Sequence, residues 1–269
     1  MFFGKSILVT GASSGLGESL ALSYATAGAK VCVFAIDEPG VNDVARRIQA
    51  RGGEAVAVVG DVSKPDDCRR AIEAAVGAFG GLDILVNNAG VSMWARFEEI
   101  EDLGAFRRLV EVNYLGAVYC THYALPHLKS QRGMIVAVTS IQGRSGVPFH
   151  TGYAASKHAM QGFFDSLRME LELEGMGVHV LTVLPHWLRG TKLRENALDG
   201  RGGTVGETSA RHTEESIELG AATAAILEAM RRRKRELVIP FKLQALLWLR
   251  MISPRMADEI VKSHTSRQR

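Results

Sequence analysis

Thr10-Gly-Ala-Ser-Ser-Gly-Leu-Gly17 is the stretch of sequence that decides the fold. It follows the apolar run Ser6–Thr10, which has the composition of a buried strand, and leads directly into a helical pattern over Gly15–Ala27. Its glycines meet different needs: the first makes a tight turn, the second lets the backbone approach a pyrophosphate, and the third lets the helix pack closely on the strand. Because the first N–H groups of a helix have no partner within it, they would face the phosphates. The loop and its context therefore predict a dinucleotide-binding site.

The same loop also fits a second motif. Gly11-Ala-Ser-Ser-Gly15 matches the G-x-S-x-G turn that holds the nucleophile of α/β-hydrolases, again between a strand and a helix. That enzyme class needs an upstream strand and loop to complete its oxyanion hole, and only ten residues precede Gly11. We therefore favour the dinucleotide site over the hydrolase.

Strand-like and helical segments alternate along the rest of the chain. The strands are continuous Val/Ile/Leu runs in several places, as expected for a parallel sheet that is covered on both faces. The predicted strands are Ser6–Thr10, Lys30–Ala35, Ala55–Gly60, Leu82–Asn87, Met134–Thr139, Val178–Val183 and Leu237–Pro240. The predicted helices are Gly15–Ala27, Val41–Arg51, Pro65–Phe79, Leu103–Lys129, Gly152–Glu174 and Glu214–Arg232. This order predicts an α/β fold, a single-domain doubly wound (Rossmann) parallel seven-stranded sheet that spans residues 1–269.

Two regions depart from this regular alternation. Residues 184–213 form an irregular, glycine-rich stretch, which we interpret as a substrate loop because long loops in compact domains are usually functional. A C-terminal extension over residues 241–269 begins with Phe241–Ile252, which is too apolar to leave in water and too short to span a bilayer. It could cover the substrate cleft, join a subunit interface or lie on a membrane surface; we favour the first two over membrane contact.

The overall composition excludes several function classes. Hydrophobic residues make up 46% of the chain, charged residues 23%, and the formal net charge is +3, which is too small to indicate a nucleic-acid partner. The basic run Arg231–Arg235 is explained by its place at a helix end, where the dipole favours cations. Cys32, Cys68 and Cys120 lack the spacing of metal ligands, so no metal site is expected. Free cysteines and the lack of a signal-like N-terminus favour a cytoplasmic protein.

A tyrosine and a lysine at helical spacing form the candidate chemical centre. Tyr153 and Lys157 lie four residues apart and would share one helix face. Free tyrosine has a pKa of about 10, so a pKa near 7 would require roughly 4 kcal/mol of preferential stabilisation of the phenolate. An adjacent ammonium and a nicotinamide cation in a partly desolvated cleft can together contribute at that scale, which would make the phenol a proton donor and acceptor for carbonyl chemistry. Ser140 ends a predicted strand at the edge where such sheets bind ligands, and its hydroxyl could bond a substrate oxygen.

These motifs occur in an order that resembles the short-chain dehydrogenase/reductase family. The resemblance rests on the glycine loop, Asn87-Asn-Ala-Gly90, Asn113, Ser140 and Tyr153-x-x-x-Lys157, and covers residue 5 to about 240. Within the family the chain is most similar to the branch of 11β-hydroxysteroid dehydrogenases and related lipid or steroid carbonyl reductases. The residues that carry this closer likeness are Val112–Gly116, Gly152–Lys157 and Gly162–Arg168.

The resemblance implies an NAD(P)-dependent enzyme that moves a hydride between nicotinamide and a carbonyl or secondary alcohol. Its catalytic residues would be Ser140, Tyr153, Lys157 and Asn113, the last holding a water that links the lysine to solvent. Its cofactor-binding residues would be Gly11, Ser13, Ser14, Gly15, Leu16, Gly17, Asp37, Asp61, Val62, Asn88, Ala89, Gly90, Tyr153, Lys157, Pro185 and Trp187. Asp61 has an alternative interpretation as a simple turn residue after a strand. A non-catalytic nucleotide-binding regulator of the same fold is the alternative function, but it would be expected to lose Tyr153 or Lys157.

The region after the sixth strand departs from the family pattern. Here the family usually has Pro-Gly and a threonine four residues on, whereas this chain has His186 in place of the glycine and Thr191 one place late. We expect Ser140, Gln142, His150 and Trp187 to contact the substrate, although a surface position for His150 is an equal alternative. Trp94 and Val147 would add to the pocket, which favours an apolar small-molecule substrate, such as a lipid, steroid or aromatic compound, with few polar anchors.

The cofactor can be NAD or NADP, with a slight preference for NAD. The position that is acidic in NAD-preferring relatives is Ala35, and the next, commonly arginine in NADP-preferring relatives, is Ile36. Asp37 and Glu38 should repel the 2′-phosphate of NADP by roughly 1.4 kcal/mol per charge pair. Asp37 could instead turn outward and leave Ser13 to accept that phosphate.

The family also implies a homodimer or homotetramer built from the two long helices. We expect Phe163, Phe164, Leu167 and Leu171 to supply apolar surface for such an interface.

Overall fold

A seven-stranded parallel sheet forms the centre of the computed structural model, which describes residues 1–206 and 216–266. Its strands are β1 (Ser6–Thr10), β2 (Lys30–Ala35), β3 (Ala55–Val59), β4 (Ile84–Asn87), β5 (Met134–Val138), β6 (His179–Pro185) and β9 (Glu236–Ile239). They are arranged in the order β3-β2-β1-β4-β5-β6-β9. The predicted doubly wound parallel sheet is confirmed, and each predicted strand differs from the observed one by at most two residues at either end.

Helices cover both faces of this sheet. They are α1 (Gly15–Thr26), α2 (Glu38–Gln49), α3 (Pro65–Phe79), α4 (Gly104–Val110), α5 (Gly116–Gln131), α6 (Thr151–Leu173) and α7 (Leu219–Arg231). Alternate residues of β1 point to opposite faces: Ile7 and Val9 pack with α1, α2 and α7, whereas Leu8 packs with α3, α5 and α6. The two cores fix each strand in register, so the strand ends that face the candidate site are held from both sides.

The predicted long helix Leu103–Lys129 is wrong in detail. It is divided into α4, a π-helical turn over Glu111–Leu115, and α5. A π turn adds one residue per turn and rotates the side chains that follow it, and such turns are common at functional sites. The candidate residue Asn113 lies within this turn.

The predicted substrate loop contains short pieces of regular structure. β7 (Leu188–Arg189) pairs in parallel with β8 (Ile217–Glu218), and Leu198 bridges to both Met93 and Thr204. Residues 207–213 of the predicted loop lie outside the described residues, as do residues 214 and 215 of the predicted helix Glu214–Arg232. Within the described part, that helix begins at Leu219.

The C-terminal extension forms two helices, α8 (Leu243–Ile252) and α9 (Pro254–Ser266). Leu243 and Leu247 of α8 pack against Ile141, Leu184 and Val238, which lie at the carboxyl ends of β5, β6 and β9. Residues 267–269 of the predicted extension lie outside the described residues. Within residues 1–206 and 216–266, no helix has both the length and the apolar composition needed to cross a membrane.

Candidate active site

A cavity of about 850 Å³ lies at the carboxyl edge of the sheet. The loops after β1, β2, β4, β5 and β6 all contribute to its wall, as expected where a doubly wound sheet binds its ligands. Most of the predicted cofactor residues line it: Gly11, Ser13, Ser14, Gly15, Leu16, Asp37, Asp61, Val62, Asn88, Ala89, Gly90, Tyr153, Lys157, Pro185 and Trp187. Ser140 and Gln142 line the same cavity, so one continuous space joins the glycine loop to the candidate chemical centre.

The glycine loop is tied to the end of β4 by a compact hydrogen-bond network. The Thr10 hydroxyl accepts from the backbone N–H groups of Asn88 and Ala89, each at 2.9 Å. The Asn88 amide Nδ2 donates back to the carbonyl oxygens of Thr10 and Gly11, at 2.9 and 3.2 Å. These bonds hold the first turn at a fixed distance from the neighbouring strand. The sequence did not predict that Thr10 would bond to the segment after β4, because a threonine at the end of a strand is not a distinctive signal.

Two glycines of the loop are required by close packing. Gly11 has a φ of +62°, and a Cβ there would lie 2.8 Å from the Ala89 Cα. Gly17 lies behind the loop, where a Cβ would overlap the Gly11 carbonyl oxygen and approach Asn88 Nδ2 to 2.6 Å. Gly17 does not itself line the cavity within the described residues; it lets the start of α1 approach β1, as the sequence predicted.

Acidic groups lie at the end of the cavity formed by β2 and β3. The Asp37 carboxylate lies next to Ser13, since a Cβ added to Gly40 would meet Asp37 Oδ2 and come within 2.8 Å of the Ser13 Cβ. Asp37 therefore adjoins the glycine loop and is one of the residues that line the cavity. Asp61 lies 3.5 Å from Arg108, another cavity residue. Arg108 was not predicted as a site residue, because a helix-surface arginine gives no distinctive sequence signal.

Tyr153 and Lys157 are both buried at the candidate chemical centre. The Lys157 Nζ donates to the Val138 carbonyl oxygen at 3.0 Å and lies 5.8 Å from the centre of the Tyr153 ring. Burial lowers the pKa of Lys157 to about 8. Burial raises the pKa of Tyr153 to about 12, opposed by a hydrogen bond with Ser140. In the protein without cofactor, burial therefore dominates the pKa of Tyr153. The lowering expected from the ammonium and a nicotinamide cation together stays a prediction.

Ser140 begins the short 3-10 turn Ile141–Gly143 that follows β5. Its Oγ accepts from the Gln142 backbone N–H at 3.1 Å, and this bond orients the hydroxyl at the turn. Ser140, Gln142 and Tyr153 then face one part of the cavity. The same hydroxyl donates to the Pro185 carbonyl oxygen at 3.5 Å, a long bond that a substrate oxygen in this space could replace.

Asn113 is fully buried and braces the centre. Its Oδ1 accepts from the Val91 N–H at 2.8 Å, and its Nδ2 donates to the Val91 carbonyl and the Ser156 hydroxyl, each at 2.9 Å. A Cβ on Gly90 would lie 3.1 Å from Asn113 Oδ1 and 3.6 Å from Lys157 Nζ, so the two side chains flank the same spot. Asn113 thereby joins the π-helical turn to α6 and to the loop after β4.

His150 is fully buried, so the surface position left open by the sequence is wrong. Its ring lies 4.9 Å from Trp94, 5.5 Å from Trp187 and 6.2 Å from Tyr153. Trp187 and Tyr153 line the cavity, whereas in the described chain His150, Trp94 and Val147 do not. The guanidinium of Arg194 stacks over Trp94 and Trp187, at 4.7 and 5.2 Å. The rings of Trp94 and His150 thus lie behind the part of the cavity wall that Trp187 and Tyr153 form.

The segment after β6 reaches the glycine loop despite its departure from the family spacing. A Cβ on Gly15 would lie 3.4 Å from Thr191 Cγ2, so Thr191 lies against the glycine turn. His186, Lys192, Leu193 and Asn196 also line the cavity and were not predicted as site residues. The only sequence signal for this part of the site was Thr191, which occurs one place later than the family's threonine. Within the described residues, no cluster of His, Cys, Asp and Glu side chains could hold a metal ion.

The chain matches known proteins over most of its length. Residues 5–202 match the short chain dehydrogenase family. This chain belongs to the short-chain dehydrogenase/reductase family. A relative from Arabidopsis thaliana, 11-beta-hydroxysteroid dehydrogenase-like 4A, is 38% identical over 255 residues, which cover 94% of this chain and 82% of the relative. The 11-beta-hydroxysteroid dehydrogenase A of Sesamum indicum is 33% identical over 264 residues, 96% of this chain and 75% of that protein. The predicted family and branch are confirmed.

The fold of this short-chain dehydrogenase/reductase also matches a solved structure. A short-chain dehydrogenase/reductase from Burkholderia phymatum, determined in complex with NAD, superimposes with a TM-score of 0.86 at 24% identity, covering 95% of each chain. The family and its hydroxysteroid dehydrogenase-like members make this protein an NAD(P)-dependent dehydrogenase or reductase. The residues at the cavity suit such a cofactor, since Gly11 and Gly15 of the turn line the cavity without a Cβ and so let a pyrophosphate approach the backbone.

Proposed function

We propose that this enzyme transfers a hydride between nicotinamide and a carbonyl or secondary alcohol of an apolar small molecule. The observation that carries the proposal is the convergence of Ser140, Tyr153 and Lys157 on a cavity shared with the glycine loop. When bound, the dinucleotide supplies or accepts the hydride. The cofactor contacts would be those predicted from the sequence, with Thr191 in addition because it lies against the glycine turn.

In this proposal Tyr153 moves the proton. With a pKa near 12 the phenol is protonated at neutral pH, which is the form needed to donate a proton to a carbonyl oxygen during reduction. Ser140 would donate a hydrogen bond to the same oxygen as negative charge develops there. Lys157, with a pKa near 8, is mostly an ammonium at neutral pH and would stabilise the phenolate that remains. Asn113, held in place by its hydrogen bonds to Val91, would help to position a water molecule that links Lys157 to solvent.

We further propose a slight preference for NAD over NADP. The Asp37 carboxylate beside Ser13 would repel a 2′-phosphate, and no arginine stands at position 36. The Burkholderia phymatum relative was solved with NAD. Titration of NADH and NADPH at the same ionic strength, followed by cofactor fluorescence, tests this: we expect the tighter complex with NADH. Affinity ten times tighter for NADPH, a difference of about 1.4 kcal/mol, would contradict the preference.

The enzyme is further proposed to be a single-domain cytoplasmic homodimer or homotetramer. The experiment that tests its chemistry is a turnover screen of ketones, aldehydes and secondary alcohols, each with NAD(H) and NADP(H). We expect the enzyme to reduce several apolar ketones, with one molecule of reduced cofactor oxidised for each molecule of alcohol formed. A protein that binds the cofactor but turns over no member of the panel would favour the non-catalytic regulator instead.

A further inference from the structure

Two buried polar atoms beside the proposed reaction centre have no hydrogen-bond partner among the described residues. They are Oε1 of Gln142 and Nε2 of His150. Native proteins satisfy the great majority of their buried polar atoms, so each exception requires an explanation. Gln142 follows Ser140 by two residues, and His150 precedes Tyr153 by three. Both exceptions therefore belong to the short segments that carry the proposed reacting groups.

The hydrogen-bond partner of His150 fixes which ring nitrogen carries the proton. Nδ1 lies 2.9 Å from the Pro148 carbonyl oxygen. A carbonyl oxygen only accepts, so Nδ1 must be the donor. Burial lowers the pKa of His150 to about 4, so the ring is neutral at physiological pH and carries a single N–H. Nε2 therefore presents a lone pair and is an acceptor that lacks a donor.

Gln142 presents a second acceptor of the same kind. Its backbone N–H is bound to the Ser140 hydroxyl, which fixes the turn, while its side chain lies in the cavity wall and is only 5% exposed. The nearby rings of Tyr153 and Trp187 cover the His150 side of the same wall. Gln142 places an acceptor without a donor in the cavity wall, and His150 adds a second one in the layer behind that wall. This end of the cavity is therefore complementary to a group that donates hydrogen bonds.

We infer that the substrate carries a hydroxyl group close to its reacting carbonyl or alcohol carbon, and that this hydroxyl donates a hydrogen bond to Gln142, with His150 as the second acceptor behind it. The inference rests on the proposed function and narrows its substrate class from apolar ketones to hydroxy-substituted ones. The remainder of the substrate would contact apolar wall residues such as Trp187 and Leu193. Gln142 lines the cavity but its Oε1 is buried, so the side chain would rotate for this oxygen to meet a ligand.

Three matched ring ketones distinguish the effect of a hydrogen bond donated by the substrate from the effects of substrate size and polarity. The probes are cyclohexanone, α-hydroxycyclohexanone and α-methoxycyclohexanone; the methoxy group has the oxygen but cannot donate. We expect kcat/KM for the hydroxy ketone to exceed the other two by ~10- to 100-fold, the effect of one hydrogen bond to a buried acceptor. Equal values for the hydroxy and methoxy ketones, within about threefold, would overturn the inference and leave the proposed hydride transfer standing.

Binding measured without turnover keeps the inference testable if no ketone reacts. Calorimetric titration of the NADH complex with cyclohexanol, trans-cyclohexanediol and the diol's monomethyl ether uses ligands that the reduced cofactor cannot oxidise. Tighter binding of the diol supports the inference; equal affinities for all three overturn it. Failure of every ketone to react while the diol binds tightly would instead count against the proposed function alone.

Variants assign the effect to the residue. Gln142→Met keeps the length of the side chain but removes the acceptor, so the hydroxy-to-methoxy ratio should fall to about threefold or less. Leu193→Met alters the same wall without removing a polar atom, and the ratio should persist. A Gln142→Met enzyme that keeps the full ratio would overturn the assignment. If this variant does not fold, the wild-type comparison of diol and monomethyl ether still decides the inference.

Discussion

Lys157 shows how function and stability oppose each other at a single residue. Its ammonium is buried, and its pKa is lowered from 10.5 to about 8 because burial penalises the charge. That difference corresponds to about 3 kcal/mol of penalty in the folded protein at pH values where the lysine is charged in both states. The hydrogen bond to the Val138 carbonyl stabilises the folded protein by only about 1 kcal/mol. Stability alone would not place a lysine here.

We therefore predict that Lys157→Met makes the protein without cofactor more stable but a poorer enzyme. Below pH 8 the lysine is charged in both the folded and the unfolded chain, so the variant should gain about 2 kcal/mol in free energy of unfolding. The gain should shrink between pH 8 and 10.5, where the folded protein has lost the proton and the unfolded chain retains it. Urea denaturation at several pH values measures this. A variant that is less stable than the wild type at pH 7 would show that the buried charge is not penalised.

Single residues were predictable from the sequence where a backbone or spacing rule applied. Ser140, Tyr153 and Lys157 follow such rules, and the structure brings all three to one cavity. Arg108 and Asn196 were missed because their approach to the cavity depends on how helices and loops pack, which no local pattern records. The raised pKa of Tyr153 in the protein without cofactor was not predicted either, because the degree of burial is a property of the folded chain.

At the scale of elements, the junction of β1 and α1 depends on Gly17. A side chain there would meet the Gly11 carbonyl and Asn88 Nδ2, and neither can move without breaking the network around Thr10. We predict that Gly17→Ala weakens NADH binding and costs ~1–3 kcal/mol of stability, because the helix must shift away from the strand. Cofactor fluorescence and thermal unfolding measure the two effects.

Gly77 supplies the matched control for that substitution. It lies in the last turn of α3 on the protein surface, and a Cβ there would meet nothing within 4 Å. Gly77→Ala should raise stability by ~0.5–1 kcal/mol, since alanine favours the helix, and leave NADH binding unchanged. Equal behaviour of the two variants would show that close packing at Gly17 is not what the cofactor loop requires.

Elements with regular periodicity were predicted closely, and those shaped by tertiary contacts were not. The strands are correct because buried parallel strands have an uninterrupted apolar composition. The π turn at Glu111–Leu115 has no periodic signature and emerges only where Asn113 bonds to Val91 and Ser156. The sequence predicted that the start of the C-terminal extension would be covered, but not where it would pack. In the structure α8 packs against Ile141, and none of its described residues lines the cavity.

At the scale of the whole molecule, the proposed interface needs revision. Phe164, Leu167 and Leu171 were expected to supply apolar surface, yet all three are buried in the monomer's own core. Phe163 is only partly buried, and Leu173 and Met169 of the same helix are 88% and 54% exposed. A dimer through α6 would therefore use these three residues, since the others already have partners within the chain.

We predict that sedimentation at micromolar concentration shows a dimer or tetramer rather than a 29.2 kDa species. Leu173→Asp should shift the equilibrium towards the monomer, because a charge would be desolvated at the interface. Met251→Asp, on the exposed face of α8, is the comparison. Dissociation by Met251→Asp alone would place the interface on the C-terminal helices, and a wild-type monomer would contradict the proposed oligomer.

The turnover of Tyr153→Phe, measured beside NADH binding by the same variant, tests the central claim most directly. The substitution removes one hydroxyl from a buried ring, so the fold and the cavity should be preserved. We predict that the variant binds NADH and loses turnover by ~10²- to 10⁴-fold, the usual contribution of a general acid. Retention of more than about a third of wild-type turnover would contradict the account, because proton transfer would then not depend on the phenol.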